Sequence, residues 1–158
     1  MKIIVGISEM AVSLNQDDVL ITYSLGSCLG VSVYDPVTKV GGLLHCMLPL
    51  STIDREKARC KPCMFTDTGM AALLAEVFSR GARRDSLLVK VAGASSLLDD
   101  KGIFKIGERN YTVLRKILWK NNMLISSEDV GGTASRTVSL DIGTGTTLVK
   151  CAQGEYEL

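Results

Sequence analysis

The sequence has almost no excess of charge of one sign. Eighteen lysine and arginine residues are matched by seventeen aspartate and glutamate residues, which gives a net charge of +1. Proteins that bind nucleic acids or anionic membranes through their general surface normally carry a strongly one-signed face, so the composition does not support either class. We interpret the two short basic clusters at 57–61 and 80–84 as solvated surface.

Long apolar runs are also missing. No stretch approaches the ~18 consecutive apolar residues that a membrane span requires. The apolar stretch at 1–7 is too short for the core of a signal peptide and predicts a strand instead. We therefore expect a cytoplasmic protein, in which thiols stay reduced.

The five cysteines do not suggest a disulfide framework, because their number is odd and their spacing irregular. Cys60 and Cys63 form a single C-x-x-C motif, without the preceding strand of a thioredoxin-type site and without a second pair for zinc. A thiol redox or zinc module centred on this pair remains an alternative hypothesis. Our main interpretation assigns no metal and no organic cofactor.

The chain length of 158 residues and the apolar content of 46% suit one compact domain over residues 1–158. Short β-branched runs and two helical periodicities mark the elements. Strands are predicted over 2–7, 19–23, 29–34, 40–47, 87–92, 123–127, 137–141 and 147–151, and helices over 68–80 and 107–121. This pattern predicts a mixed α/β fold, a largely antiparallel β-sandwich with two main helices packed on one side.

The chain contains one histidine, so any Cys–His catalysis must use His45. The Asp-Pro pair at 35–36 predicts a type I turn that closes a hairpin through pairing of Tyr34 with Lys39. The same register places Cys28 directly opposite His45, where Cβ atoms lie ~4.5–5.5 Å apart on one face. A register shift of one residue would turn His45 to the other face.

Cys28 ends a flexible turn through Gly26 and Ser27, where the chain enters a strand. Free N–H groups of this turn can bind a developing oxyanion, and an adjacent imidazole would favour the nucleophilic thiolate. Thr22, near the end of the preceding strand, can orient the imidazole through its hydroxyl. The alternative interpretation is that Cys28 and His45 are both ordinary core residues.

Several segments resemble one family. They are LGSC at 25–28, DP at 35–36, GGLLHCMLP at 41–49, IGERN at 106–110 and EDVGG at 128–132 followed by Arg136. In this order, over nearly the whole chain, they resemble the chemoreceptor glutamine deamidase family, CheD. The resemblance assigns the family's nucleophile to Cys28, its histidine to His45 and its supporting threonine to Thr22. It also implies an α/β sandwich similar to the catalytic domain of deamidating bacterial toxins.

The resemblance further implies an activity and partners. The expected reaction is hydrolysis of selected glutamine side chains on the cytoplasmic helices of chemoreceptors, through a cysteine thioester, with methyl-ester hydrolysis in some family members. Some members also bind a CheC-type phosphatase. The alternative function is a largely non-catalytic binding module that regulates such a phosphatase.

Overall fold

Ten strands and three helices make up the part of the chain that the computed structural model describes, residues 1–96 and 105–158. The strands are β1 Lys2–Ile4, β2 Glu9–Ser13, β3 Val19–Leu25, β4 Leu29–Asp35, β5 Val40–Cys46, β6 Leu88–Gly93, β7 Ile125–Val130, β8 Arg136–Asp141, β9 Thr147–Cys151 and β10 Gly154–Glu157. The helices are α1 Arg55–Cys60, α2 Thr66–Ser79 and α3 Ile106–Lys120, with 3₁₀ turns at Ser51–Ile53 and Pro62–Met64. None of the helices in the described ranges is long and apolar enough to cross a membrane.

The strands form two five-stranded sheets. The first sheet has the order β1-β3-β8-β9-β10, and the second has the order β2-β5-β4-β6-β7. Neighbouring strands are antiparallel except for the β1–β3 and β6–β7 pairs, which are parallel. The structure therefore confirms the predicted mixed and largely antiparallel sandwich.

The second sheet is the middle layer of three. Alternate residues of β4 face opposite sides, so Val31 and Val33 pack toward α2 and α3 while Tyr34 packs toward the first sheet. Across the two sheets, the hydroxyls of Ser32 and Thr147 lie 2.9 Å apart. Every residue of β4 and of β5 is buried, because both faces of these strands are covered. The two main helices lie on one side, as predicted.

The differences from the predicted elements are confined to short segments. The sequence analysis did not predict β2, β10 or α1, and it extended the first strand to residue 7, whereas β1 ends at Ile4. β2 and β10 are edge strands, and none of the residues of β10 is buried. Edge strands of this kind carry little of the alternating apolar pattern on which sequence-based prediction depends.

A cluster of hydrogen bonds around Asp35 ties the β4–β5 hairpin to the loop that follows α2. The carboxylate accepts the N–H groups of Val37 and Arg83 at 2.9 and 2.7 Å. It also accepts the hydroxyls of Thr38 and Ser86 at 2.9 and 2.8 Å. Burial alone would raise the pKa of Asp35, but the four hydrogen bonds outweigh it and lower this pKa from 3.8 to about 2.

We predict that Asp35→Asn lowers the free energy of unfolding at neutral pH by about 2 kcal/mol, because a neutral amide replaces a charged acceptor. The lowered pKa means that the carboxylate stabilises the fold fully above its ordinary pKa of 3.8. This contribution is lost as the pH falls toward about 2. Urea unfolding of both proteins at several pH values should therefore show the difference shrinking below about pH 4. A difference that stays constant through this range would contradict the assignment.

Candidate active site

Thr22 and His45 meet between the two sheets. His45 is the penultimate residue of β5 in the second sheet, and Thr22 lies on β3 in the first. The Oγ1 atom of Thr22 is 2.7 Å from Nδ1 of His45, and both residues are almost completely buried. Packing of the sheets thus brings together two of the residues that the sequence analysis selected.

The Thr22 hydroxyl determines the tautomer of the imidazole. It has a single hydrogen, which it donates to the carbonyl oxygen of Val5 at 2.7 Å. Toward His45 the oxygen can therefore act only as an acceptor, and Nδ1 must carry the proton that it receives. The neutral ring consequently has its lone pair on Nε2.

His45 has the properties of a general base. Burial lowers its pKa from 6.5 to about 4, so the imidazole is uncharged at neutral pH. Nε2 is buried and has no hydrogen-bond partner among the described residues. An unpaired buried acceptor costs about 1–3 kcal/mol, and such exceptions in native proteins often have a catalytic role. The atom is placed to accept a proton from a group that enters the site.

Cys28 is the last residue of the turn that joins β3 to β4. All three carbonyl groups of the turn at 26–28 accept hydrogen bonds from inside the protein. The donors are Ser95 N–H to Gly26 at 2.9 Å, Asn110 Nδ2 to Ser27 at 3.0 Å and Ala94 N–H to Cys28 at 2.9 Å. Because the C=O and N–H of a trans peptide point in opposite directions, the N–H groups of Ser27 and Cys28 point away from these donors.

These two N–H groups are available for a ligand. Among the described residues, neither donates a hydrogen bond to a backbone carbonyl or to the side chain of another residue. An amide beside the attacking sulfur is well placed to bind the oxyanion that forms on the attacked carbon. The oxyanion role predicted for the turn of Gly26 and Ser27 is compatible with this arrangement and stays a prediction.

The predicted hairpin register is wrong by two residues. β4 and β5 pair with Gly30 opposite His45 and with Asp35 opposite Val40, and Cys28 precedes the first pair. The predicted four-residue loop at 35–38 lies one position further along the chain, at 36–39, and Lys39 ends it in the left-handed conformation at φ 63°. That residue donates its N–H to the carbonyl of Asp35 at 2.8 Å, which makes Asp35 and Val40 the closing pair.

The shift by an even number of residues leaves the facing of the side chains unchanged. Cys28 packs against the core cluster between the two sheets, which is the layer that holds His45. In the described part of the chain, no hydrogen bond joins Cys28 to His45. The two side chains therefore lie in one layer without a hydrogen bond between them, and catalytic hydrogen bonds often tighten only when substrate binds.

The surroundings of Cys28 favour the neutral thiol. Burial raises its pKa above 9.0, and the opposing effect of its own N–H is smaller. The sequence analysis expected the imidazole to favour a thiolate, whereas burial shifts the pKa of the thiol in the opposite direction. The site instead holds a neutral thiol and a neutral imidazole, so removal of the thiol proton must accompany attack.

The sequence analysis assigned no role to two residues that hold this turn in place. Asn110 donates to it directly, and Arg136 supports the loop that follows β6 by donating to Gly93 O at 3.1 Å and to Ser95 Oγ at 2.8 Å. A salt bridge to Asp129 orients the buried guanidinium. Asn110 ends the IGERN segment and Arg136 follows the EDVGG segment, but their partners are 83 and 41 residues away.

The C-x-x-C pair gains no support as a metal or redox centre. Cys60 is exposed at the end of α1, whereas Cys63 is buried in the 3₁₀ turn that follows. Over residues 1–96 and 105–158, no group of three or more His, Cys, Asp or Glu residues is arranged to hold a metal ion.

Comparison with known proteins links most of the chain to one family. A family model described as CheD chemotactic sensory transduction matches residues 47–151. The "Probable chemoreceptor glutamine deamidase CheD 1" of Syntrophus aciditrophicus is 51% identical over 96% of this chain and 95% of its own length. A "Probable chemoreceptor glutamine deamidase CheD" of Solibacter usitatus is 51% identical over 91% of this chain and 85% of its own. The family match begins after His45, whereas the match to the Syntrophus protein spans the segment from Cys28 to His45.

We predict that ¹⁵N NMR of the single histidine will show the neutral Nδ1–H tautomer from neutral pH down to about pH 5, because the ring titrates near pH 4. In Thr22→Val, which keeps the side-chain shape but removes the acceptor, the tautomer preference should be lost. Thr22→Ser retains the hydroxyl and serves as the control. A ring that titrates near 6.5, or an Nε2–H tautomer in the unmodified protein, would contradict the assignment.

Proposed function

The chain belongs to the CheD family, and on that premise we propose that it hydrolyses selected glutamine side chains of chemoreceptors to glutamate. This is the activity that the names of its relatives describe for those proteins. The structural observation that supports it is the buried neutral His45, whose Nδ1–H donates to Thr22 and whose Nε2, unpaired among the described residues, lies in the same layer as Cys28. Cys28 is the nucleophile in this proposal, and residues 1–158 act as one deamidase domain.

The first half of the reaction forms a thioester. Nε2 of His45 takes the thiol proton while Sγ of Cys28 bonds to the side-chain amide carbon of the glutamine. The carbonyl electron pair moves to oxygen, and the N–H groups of Cys28 and Ser27 bind the resulting oxyanion. When this intermediate collapses, the imidazolium donates its proton to the departing nitrogen, the C–N bond breaks and ammonia leaves.

The second half consumes one water molecule. His45, neutral again, takes a proton from water as the oxygen attacks the thioester carbon. The second oxyanion collapses, the C–S bond breaks, and the sulfur recovers its proton from the imidazolium. The sum of the two halves is glutamine plus water to glutamate plus ammonium, because the new carboxylic acid gives its proton to the released ammonia, and the scheme needs no cofactor.

The same site suits a second acyl substrate, a glutamate methyl ester on the receptor. The thioester intermediate is identical, and methanol replaces ammonia as the leaving group. The observation that favours this extension is the neutral state of the imidazole, because it can accept and then return one proton to either leaving group.

We place the substrate glutamines on the cytoplasmic helices of chemoreceptors, which puts the protein in the cytoplasm. Each deamidation adds one negative charge to a helix surface and thereby changes the electrostatic repulsion between neighbouring helices. A CheC-type phosphatase is a further proposed partner, and co-elution of the two purified proteins would test it. The non-catalytic alternative is not favoured, because the relatives are named as deamidases.

We predict that Cys28→Ala abolishes the conversion of glutamine to glutamate in a receptor cytoplasmic fragment, because no other nucleophile replaces the lost sulfur. Mass spectrometry of the digested fragment locates each converted glutamine, and an ammonia assay measures the rate. Quenching the unmodified protein during turnover should also trap an acyl group on Cys28.

Cys60→Ala is the matched control for this experiment. Cys60 is exposed and lies outside the proposed site, so its removal should leave the rate unchanged. If Cys28→Ala converts glutamines as fast as the unmodified protein, Cys28 is not the nucleophile. If the unmodified protein converts none while it binds the fragment or a CheC-type phosphatase, the non-catalytic alternative becomes the better one.

A further inference from the structure

Asn110 is a fully buried side chain in the second turn of α3 that reaches the catalytic turn. Its Nδ2 group donates two hydrogen bonds, to Ser27 O at 3.0 Å and to Met47 O at 2.9 Å. Ser27 immediately precedes Cys28, and Met47 lies two residues after His45. One amide group therefore bridges the backbone beside the nucleophile and the backbone beside the base.

The backbone of α3 lies against the neighbouring loop, which fixes where Asn110 can reach. Gly107 is three residues earlier, on the same face of the helix. A Cβ atom at this position would be 2.6 Å from the carbonyl of Ala94 and 2.8 Å from that of Ser95. Only glycine permits this approach. The helix therefore packs directly against Ala94 and Ser95, whose N–H groups bind Cys28 O and Gly26 O.

The hydrogen bond from Asn110 to Ser27 O also determines the direction of the Cys28 N–H. The carbonyl of Ser27 and the N–H of Cys28 belong to the same planar peptide, in which they point in opposite directions. By holding the carbonyl on the α3 side, Asn110 points the N–H of Cys28 to the side away from the helix. The side chain of Cys28 lies on that side too, since it packs against the core cluster between the two sheets.

Asn110 itself does not touch a substrate. Its relative exposure is 0%, and both hydrogens of Nδ2 are already used. A flipped amide would place Oδ1 against two carbonyl oxygens, so the orientation is determined. Oδ1 has no partner among the described residues, and a buried oxygen without a partner is unfavourable. Both N–H groups of Nδ2 donate to the carbonyls of Ser27 and Met47, although this leaves Oδ1 without a partner among the described residues.

We propose that Asn110 is a positioning residue, which orients the N–H of Cys28 toward the oxyanion by holding the carbonyl of Ser27. This inference rests on the proposed role of Cys28 as an acyl-accepting nucleophile. It concerns any acyl group that Cys28 accepts, so it can be tested with small probes and without the receptor.

The experiment compares two reactions of the same thiol. Acylation of Cys28 by p-nitrophenyl acetate passes through a tetrahedral oxyanion, whereas alkylation by iodoacetamide does not. Peptide mass spectrometry measures both rates at Cys28, at a pH above the pKa of the thiol so that ionisation is complete. Exposed Cys60 provides an internal reference in the same tube.

We expect Asn110→Ala to lower the ratio of acylation to alkylation at Cys28 by about tenfold or more, toward the ~10²-fold loss seen when an oxyanion donor is removed. The ratio at Cys60 should not change. Asn121→Ala is the matched control, because Asn121 lies at the end of the same helix and, among the described residues, its Nδ2 bonds only to Ile117 O. This control should leave both ratios unchanged.

An unchanged ratio in Asn110→Ala would overturn the proposal, whether both rates stay the same or both fall equally. An equal fall of both rates indicates a generally disordered turn. If the alanine variant does not fold, Asn110→Asp keeps the shape without leaving a cavity and should show the same fall. The proposed function is tested separately by glutamine conversion in the unmodified protein. If glutamine conversion fails, the ratio of acylation to alkylation at Cys28 can still be measured and compared between the variants.

Discussion

The single hydrogen of the Thr22 hydroxyl is the constraint on which the candidate site depends. Because this hydrogen is donated to Val5 O, the oxygen can only accept from His45, and the imidazole must keep its lone pair on Nε2. The donor and acceptor belong to different sheets, so the correct tautomer exists only when the sheets are packed. The buried cluster between them, which includes Leu20, Leu43 and Val138, is therefore a requirement of the chemistry as well as of stability.

Burial has the same effect on both reacting groups. It raises the pKa of Cys28 and lowers that of His45, so each loses its charge. A neutral thiol reacts slowly with oxidants and alkylating agents, so the site is unreactive toward them in the absence of substrate. The thiol becomes a nucleophile only when its proton can move to Nε2 as a bond to carbon forms, and this couples reactivity to the arrival of substrate.

The nucleophile is held by backbone geometry rather than by its own side chain. Gly93 adopts φ 108°, and a Cβ atom there would lie 2.3 Å from the carbonyl oxygen of Cys28. The loop after Gly93 can therefore lie close enough for Ala94 to bind that oxygen. Arg136 holds the loop from the first sheet, and Asn110 holds the turn from the helical layer. All three layers of the fold thus contribute to the position of one peptide group.

The sequence alone determined the layers, because these follow from local periodicity, and it selected the candidate residues through the single histidine and the resemblance to one family. Only the tertiary structure decided their arrangement. The register of the hairpin depends on a left-handed residue at the end of its loop, before Val40, and the charge states of Cys28 and His45 depend on burial. The bond from Asn110 to Ser27 joins positions 83 residues apart. Such long-range contacts arise from the packing of whole layers, which no local pattern of residues records.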